Sequence, residues 1–155
     1  MSLLLLCGLF AACEKTPPYD VVKQQELDAL IIEKYKEKAG LLDLTVDPSG
    51  LNYGIISIGT GADFPTDADS IVVRFEARIL GQEAAFQSIS ATDSVTLKLG
   101  TAMEGWRIGM PKIKTGGQIR MIIPSALAYK DFGSTDNRIP PFSILDYTVT
   151  LMHIK

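Results

Sequence analysis

The chain holds few residues that can move a proton or attack a carbonyl. Its single histidine, His153, falls in an alternating C-terminal stretch, and there is no Gly-x-Ser-x-Gly turn to pair with it. Both cysteines, Cys7 and Cys13, stand at the extreme N-terminus, so neither a disulfide nor a thiolate or histidine metal site is expected in the remainder. Gly59-Thr60-Gly61 follows a strand-like run but lacks the third glycine, the helix and the downstream acid of a dinucleotide site, and reads as a turn. No cofactor and no metal are expected. What remains is aromatic. The only tryptophan, Trp106, lies between Gly105 and Gly109. So large a side chain, with one N–H donor, needs a wide core slot or the floor of a pocket.

The elements that must position it read as short strands. In Ser70 to Leu80, Ile71, Val73, Phe75, Ala77 and Ile79 point one way, while Arg74, Glu76 and Arg78 point the other. Leu51 to Ile58 reads as the first strand, and the same alternation runs through Val95 to Leu99, Gln118 to Ile123 and Leu145 to Leu151. One apolar face per strand predicts an antiparallel sheet solvated on its other side. Met103 to Met110 is the sole helix candidate within this region, and Pro111 limits its length. The spacing Gly105-x-x-x-Gly109 is a packing spacing. Ahead of the sheet, Tyr19 to Ala39 reads as an amphipathic helix, with Asp20 able to cap its start and Gly40 its end. Leu27, Leu30, Ile31 and Tyr35 form its apolar stripe, which either packs on the following domain or makes a homodimer contact. Leu41 to Gly50 joins helix to domain. The fold class is α+β: a twisted antiparallel sheet wrapped around one short helix, preceded by an N-terminal helix.

Gly105-Trp106, then Ile123 to Tyr129 (IPSALAY), then Arg138 to Pro141 (RIPP) and a long closing strand resemble, in this order, FKBP-type peptidyl-prolyl isomerases. The resemblance covers roughly residues 50 to 155 and implies the same fold, with the family domain over 51–155. It also implies a proline pocket. Trp106 is then the floor; Phe75, Phe86 and Tyr147 form walls, with Val95 where the family carries another aromatic. Tyr129 offers its hydroxyl, Ile139 closes the rim, and the Met103 backbone N–H holds a substrate carbonyl. Gln87, directly after Phe86, borders the same space. The implied partners are proline-containing polypeptides. The competing reading is that these aromatics are plain core, as most aromatics are. The matching motifs weigh against it for Trp106 and Tyr129, while Phe75, Val95 and Tyr147 read equally either way. The functional reading requires the indole of Trp106 to line an open, water-poor hollow.

Such chemistry suits a chain with one histidine. An X-Pro bond turns over tens to hundreds of seconds unaided, against a barrier near about 18–20 kcal/mol for amide rotation. Twisting the amide removes its resonance and much of its dipole, so a dry aromatic pocket favours the twisted form when a few donors hold the carbonyl. Departures from the family pattern bear on rate: Phe75 stands where a tyrosine is usual and Gln87 where an aspartate is usual. Lys130 replaces the glycine after the tyrosine, and Arg138 takes an apolar rim position. The expectation is an isomerase of reduced activity. The alternative is a chaperone-like lipoprotein that grips proline-bearing or apolar segments without useful turnover.

With 155 residues, 46% of them apolar, one domain plus an appendage is expected, and a net charge of −3 supplies no basic face for nucleic acid. Residues 1–12, MSLLLLCGLFAA, read as a signal peptide too short to span a bilayer. Phe10-Ala11-Ala12-Cys13 resembles a bacterial lipobox, which implies lipidation of Cys13, a tether over 13–18 and anchoring at the periplasmic side of the outer membrane. Phe10 in place of leucine, and no basic residue before the run, depart from that pattern. An ordinary signal peptide with an incidental Cys13 stays open. Residues 19–50 form the helix and linker.

Overall fold

The structure, a computed structural model, describes residues 19–90 and 92–155. The expected signal peptide, Cys13 and the tether lie outside the described residues. Among the described residues no helix is long and apolar enough to cross a membrane.

Helix α1 runs from Val21 to Ala39. The Asp20 carboxylate accepts from the Lys23 N–H at 3.1 Å, satisfying one of the unpaired amides of the first turn. At the other end Gly40 takes a φ of +69°, and its N–H closes onto the carbonyls of Glu37 and Lys36. Lys36 and Lys38 in the last turn complement the negative end of the helix dipole.

The face that α1 turns inward corrects the expectation from its apolar stripe. Leu27, Leu30 and Ile31 are 50%, 62% and 43% exposed. The buried residues are Asp28, Ile32 and Lys36, spaced four apart along one side. Ile32 packs with Ile122 and Ile144, flanked by Tyr35, Leu44 and Leu80. Polar contacts complete the seat. The Asp28 carboxylate accepts from the N–H and hydroxyl of Ser125, and Lys36 donates to Asn52 and Glu33. The outer face of the sheet is therefore not wholly solvated: the side chain of Ile122 lies under α1.

Seven strands form one antiparallel sheet: β1 (Thr45–Val46), β2 (Asn52–Ser57), β3 (Ser70–Ile79), β4 (Gln87–Ser88), β5 (Val95–Lys98), β6 (Gln118–Ile123) and β7 (Leu145–Ile154). Their order is β1-β2-β6-β7-β3-β4, with β5 also pairing β3. β1 arises within 41–50, which sequence spacing presented as a connector. β3 and β7 pair along their whole length, from Ile71↔Ile154 to Ile79↔Leu145, with a bulge at Val72 and Val73. β3 keeps the alternation read from its sequence: Ile71, Val73, Phe75 and Ala77 are all buried on one face.

That face wraps α2 (Glu104–Gly109), which Pro111 ends in a short 3₁₀ turn, Met110–Lys112. Gly105 and Gly109 explain how α2 lies so close to β6. A Cβ at Gly105 would run into the Ile123 side chain, and one at Gly109 into the Met121 sulfur. The core is thus continuous from Trp106 and Met110 to Ile119, Met121, Ile123, Val149 and Leu151. Each such fully buried aliphatic side chain stabilises by about 1.5–3 kcal/mol.

Candidate functional site

Trp106 faces the sheet because Met103, capping α2, turns the chain into the helix: the Met103 carbonyl accepts from the N–H of Trp106 and of Arg107 at 3.0 and 3.2 Å. The indole meets Phe75 of β3 edge-on, 5.4 Å between centroids and 88° between planes. It meets Tyr147 of β7 in the same way, at 5.5 Å and 89°. Phe75 and Tyr147 touch each other at 5.7 Å, and Phe86 closes on Tyr147 at 6.1 Å. Each edge-to-face contact adds about 0.5–1.5 kcal/mol beyond burial. These four rings therefore hold one another in place.

Around them stand the other candidates. Ile139 is buried in the same cluster, while Val95, Met103 and Tyr129 pack against it half-buried. Gln87 does not join them as closely: it is exposed on β4, opposite Ala77. The indole is more covered than an open hollow requires, with 3% of its surface reached by solvent. Its Nε1–H is buried without a hydrogen-bond partner. At the rim, neither the Met103 N–H nor the Tyr129 hydroxyl has a partner among the described residues.

The turn carrying Tyr129 begins at Pro124, passes through a 3₁₀ turn at Ser125–Leu127, and ends with Lys130 at φ +53°. Lys130 thus occupies the left-handed region that favours glycine. The rim loop is held by its own polar contacts. Ile139 N–H donates to Ser134 Oγ at 2.9 Å, and Ser134 N–H donates to the Ile139 carbonyl at 2.8 Å. The Ser134 hydroxyl and Arg138 hold the Asp136 carboxyl down at about 2. Arg138 also donates to the Phe86 carbonyl at 3.3 Å, tying the rim to the Phe86 loop.

Two features escaped the sequence reading. Arg138 bridges rim and wall rather than only replacing an apolar residue. Tyr147 is expected as a wall; what its sequence does not show is that burial raises its phenol pKa well above the usual range, with neighbouring Tyr129 adding to the rise. Neither leaves a local mark in the sequence, because both depend on residues far along the chain. His153 is exposed on β7, opposite Val72, away from any such cluster. The arrangement offers aromatic walls and two unengaged donors. Among these residues there is no acid–base pair, and a small apolar ring reaches the covered indole only if the rim side chains move.

Comparisons with known proteins agree with this fold. The profile of the family described as FKBP-type peptidyl-prolyl cis-trans isomerase matches residues 61–152. The chain is 30% identical over 123 residues to the FKBP-type peptidyl-prolyl cis-trans isomerase FkpA of Escherichia coli (strain K12), covering 79% of this chain and 43% of the relative. It is 34% identical over 119 residues to the probable FkpA of Neisseria meningitidis serogroup B, covering 77% and 43%. It thus spans less than half the length of these curated relatives. The crystal structure of FkpA from Escherichia coli superposes with a TM-score of 0.70 at 29% identity, over 86% of this chain and 63% of that one. A peptidyl-prolyl cis-trans isomerase from Pseudomonas syringae shares the fold, with a TM-score of 0.70 at 21% identity over 90% and 99% of the two chains.

Proposed function

The chain belongs to the FKBP-type peptidyl-prolyl cis-trans isomerase family, and we propose on that footing that it isomerises X-Pro bonds in polypeptides at the Trp106 cluster. The observation that carries the reading is the mutual edge-to-face packing of Trp106, Phe75 and Tyr147, with Tyr129, Phe86 and Ile139 around them. A prolyl ring lies on the indole once the rim side chains part. The Met103 N–H then takes the carbonyl, and the Tyr129 hydroxyl serves as the second donor. Both are fixed before the amide twists, so they stabilise the twisted state without reorganising. The walls exclude water, which disfavours the more dipolar planar amide.

Phe75 and Gln87 favour reduced turnover. The pocket has no hydroxyl at 75 and no carboxylate at 87 to polarise the substrate carbonyl, and Gln87 is exposed. The substrates are exported polypeptides, and the protein is held in the cell envelope by lipid on Cys13; the resemblance of residues 10–13 to a lipobox supports this. The exposed Leu27, Leu30 and Ile31 of α1 suit contact with a second copy. A second reading, a chaperone-like binder of proline-bearing segments, draws on the covering of Trp106. The deciding experiment measures cis-trans exchange of a short X-Pro peptide by wild type and Trp106→Ala. Wild type above background with the variant at background supports catalysis. Both at background, with the peptide still bound, supports the binding reading.

A further inference from the structure

The contact between Asp28 and Ser125 has a role that neither the family nor the aromatic cluster supplies. Asp28 is fully buried in the middle of α1. Its Oδ2 accepts from the Ser125 N–H and from the Ser125 hydroxyl, each at 2.7 Å, across 97 residues of sequence. Its Oδ1 accepts from Gln24 Nε2 at 2.8 Å. All three donor groups, from Gln24 and Ser125, are neutral, so hydrogen bonds hold this buried side chain in place.

Ser125 opens the 3₁₀ turn Ser125–Leu127, whose first amides have no partner within the turn. The residue before it, Pro124, has no side chain that could cap them. Asp28 therefore does the capping from another element. The other end of Ser125 faces the site. Its carbonyl accepts from the N–H of Ala128 at 3.0 Å and of Lys130 at 2.9 Å. These are the two residues flanking Tyr129. One residue thus links the carboxylate of α1 to both peptide groups around the Tyr129 side chain. The link is under load, because Lys130 is held at φ +53°, a conformation an L residue leaves when released.

We infer that Asp28 is a positioning residue for prolyl isomerisation: through Ser125 it fixes the turn that aims Tyr129 at the pocket. This rests on the isomerase reading above. Helix α1 is then part of the catalytic apparatus as well as a cover for Ile122. Asp28→Ala leaves Ser125 without its acceptor, and Tyr129 samples more than one direction. Misplacement by an ångström can cost about a hundredfold in rate, and partial loosening about tenfold.

The test compares kcat/KM on an X-Pro peptide for full-length wild type, Asp28→Ala, Asp28→Asn and Ile32→Ala, at a temperature where circular dichroism shows each folded. Ile32→Ala loosens the same face of α1 without touching Ser125. The expected result is about a tenfold loss in Asp28→Ala, recovery in Asp28→Asn, which keeps an oxygen toward Ser125, and near wild-type rates in Ile32→Ala. The Asp28→Ala loss should also shrink in a Tyr129→Phe background, because the two act as one unit. Equal losses in Asp28→Ala and Ile32→Ala, or a full loss persisting beside Tyr129→Phe, overturn the inference. Amide exchange at Ala128 and Lys130 gives a readout independent of turnover. It should speed up in Asp28→Ala and not in Ile32→Ala. A wild type at background rate would sink the isomerase reading, while unchanged exchange in Asp28→Ala would sink the role of Asp28.

Discussion

The indole of Trp106 and the ring of Tyr147 stand edge to face, 5.5 Å between centroids and 89° between planes. One comes from a six-residue helix and the other from the longest strand pair, so this contact joins α2 to the centre of the sheet. The indole N–H, buried with no oxygen or nitrogen to accept it, is surrounded by aromatic rings in place of polar groups.

Tyr147 should accordingly matter as a ring more than as a phenol. Tyr147→Phe should unfold within about 1 kcal/mol of wild type, because the hydroxyl has no hydrogen-bond partner among the described residues. Tyr147→Ala should cost about 3–5 kcal/mol by leaving a cavity beside Trp106 and Phe75. Urea unfolding of the two variants reads the difference directly.

Lys130 is strained where the family carries glycine. Lys130→Gly should stabilise by about 0.5–1 kcal/mol, the relief of φ +53° exceeding the added freedom of the unfolded chain. The midpoint of thermal unfolding should rise. Gly109→Ala should move the other way by about 1–3 kcal/mol, since its methyl meets the Met121 sulfur.

Asp47 makes stability depend on acid. The Ser49 N–H, Lys112 and the Ser49 hydroxyl hold its carboxyl at about 2, below the ordinary 3.8. A lowered carboxyl pKa contributes stability that is complete above the ordinary value and is lost as pH falls through the folded one. Solvent reaches this pair, so the contribution at neutral pH is about 1 kcal/mol. Wild type should exceed Asp47→Asn by that amount at pH near 7, and the gap should close between about pH 4 and about pH 2.

Much of this could be read from the chain itself, and the parts that could not share one cause. The alternation of Ile71, Val73, Phe75 and Ala77 predicts β3, and Asp20 and Gly40 bracket α1 where its caps are found. Period and cap are local, and so are legible. Leu27, Leu30 and Ile31 mislead because reading a helix by its apolar side assumes that the apolar side is buried. Here Asp28 and Lys36 are buried instead, made tolerable by Ser125 and Asn52. Nothing near residue 28 announces a partner 97 positions away. The residues of the aromatic cluster were named by resemblance, and their mutual angles and the covering of Trp106 came only with the fold.

Phe75 and Gln87 bear on rate. Phe75→Tyr with Gln87→Asp should raise kcat/KM about fivefold, the value of roughly one added hydrogen bond of about 1 kcal/mol to the twisting amide. A rate unchanged from wild type in a peptide isomerisation assay would mean that these two positions do not limit turnover.

The most direct measurement uses the fact that the chain has one tryptophan. Its fluorescence can report only on Trp106. Titration with a short X-Pro peptide should change the emission saturably, and the same peptide with alanine in place of proline should leave it unchanged. Emission indifferent to both peptides, under conditions where the X-Pro peptide is being isomerised or bound, would put the proline elsewhere and contradict the assignment of Trp106 as the floor.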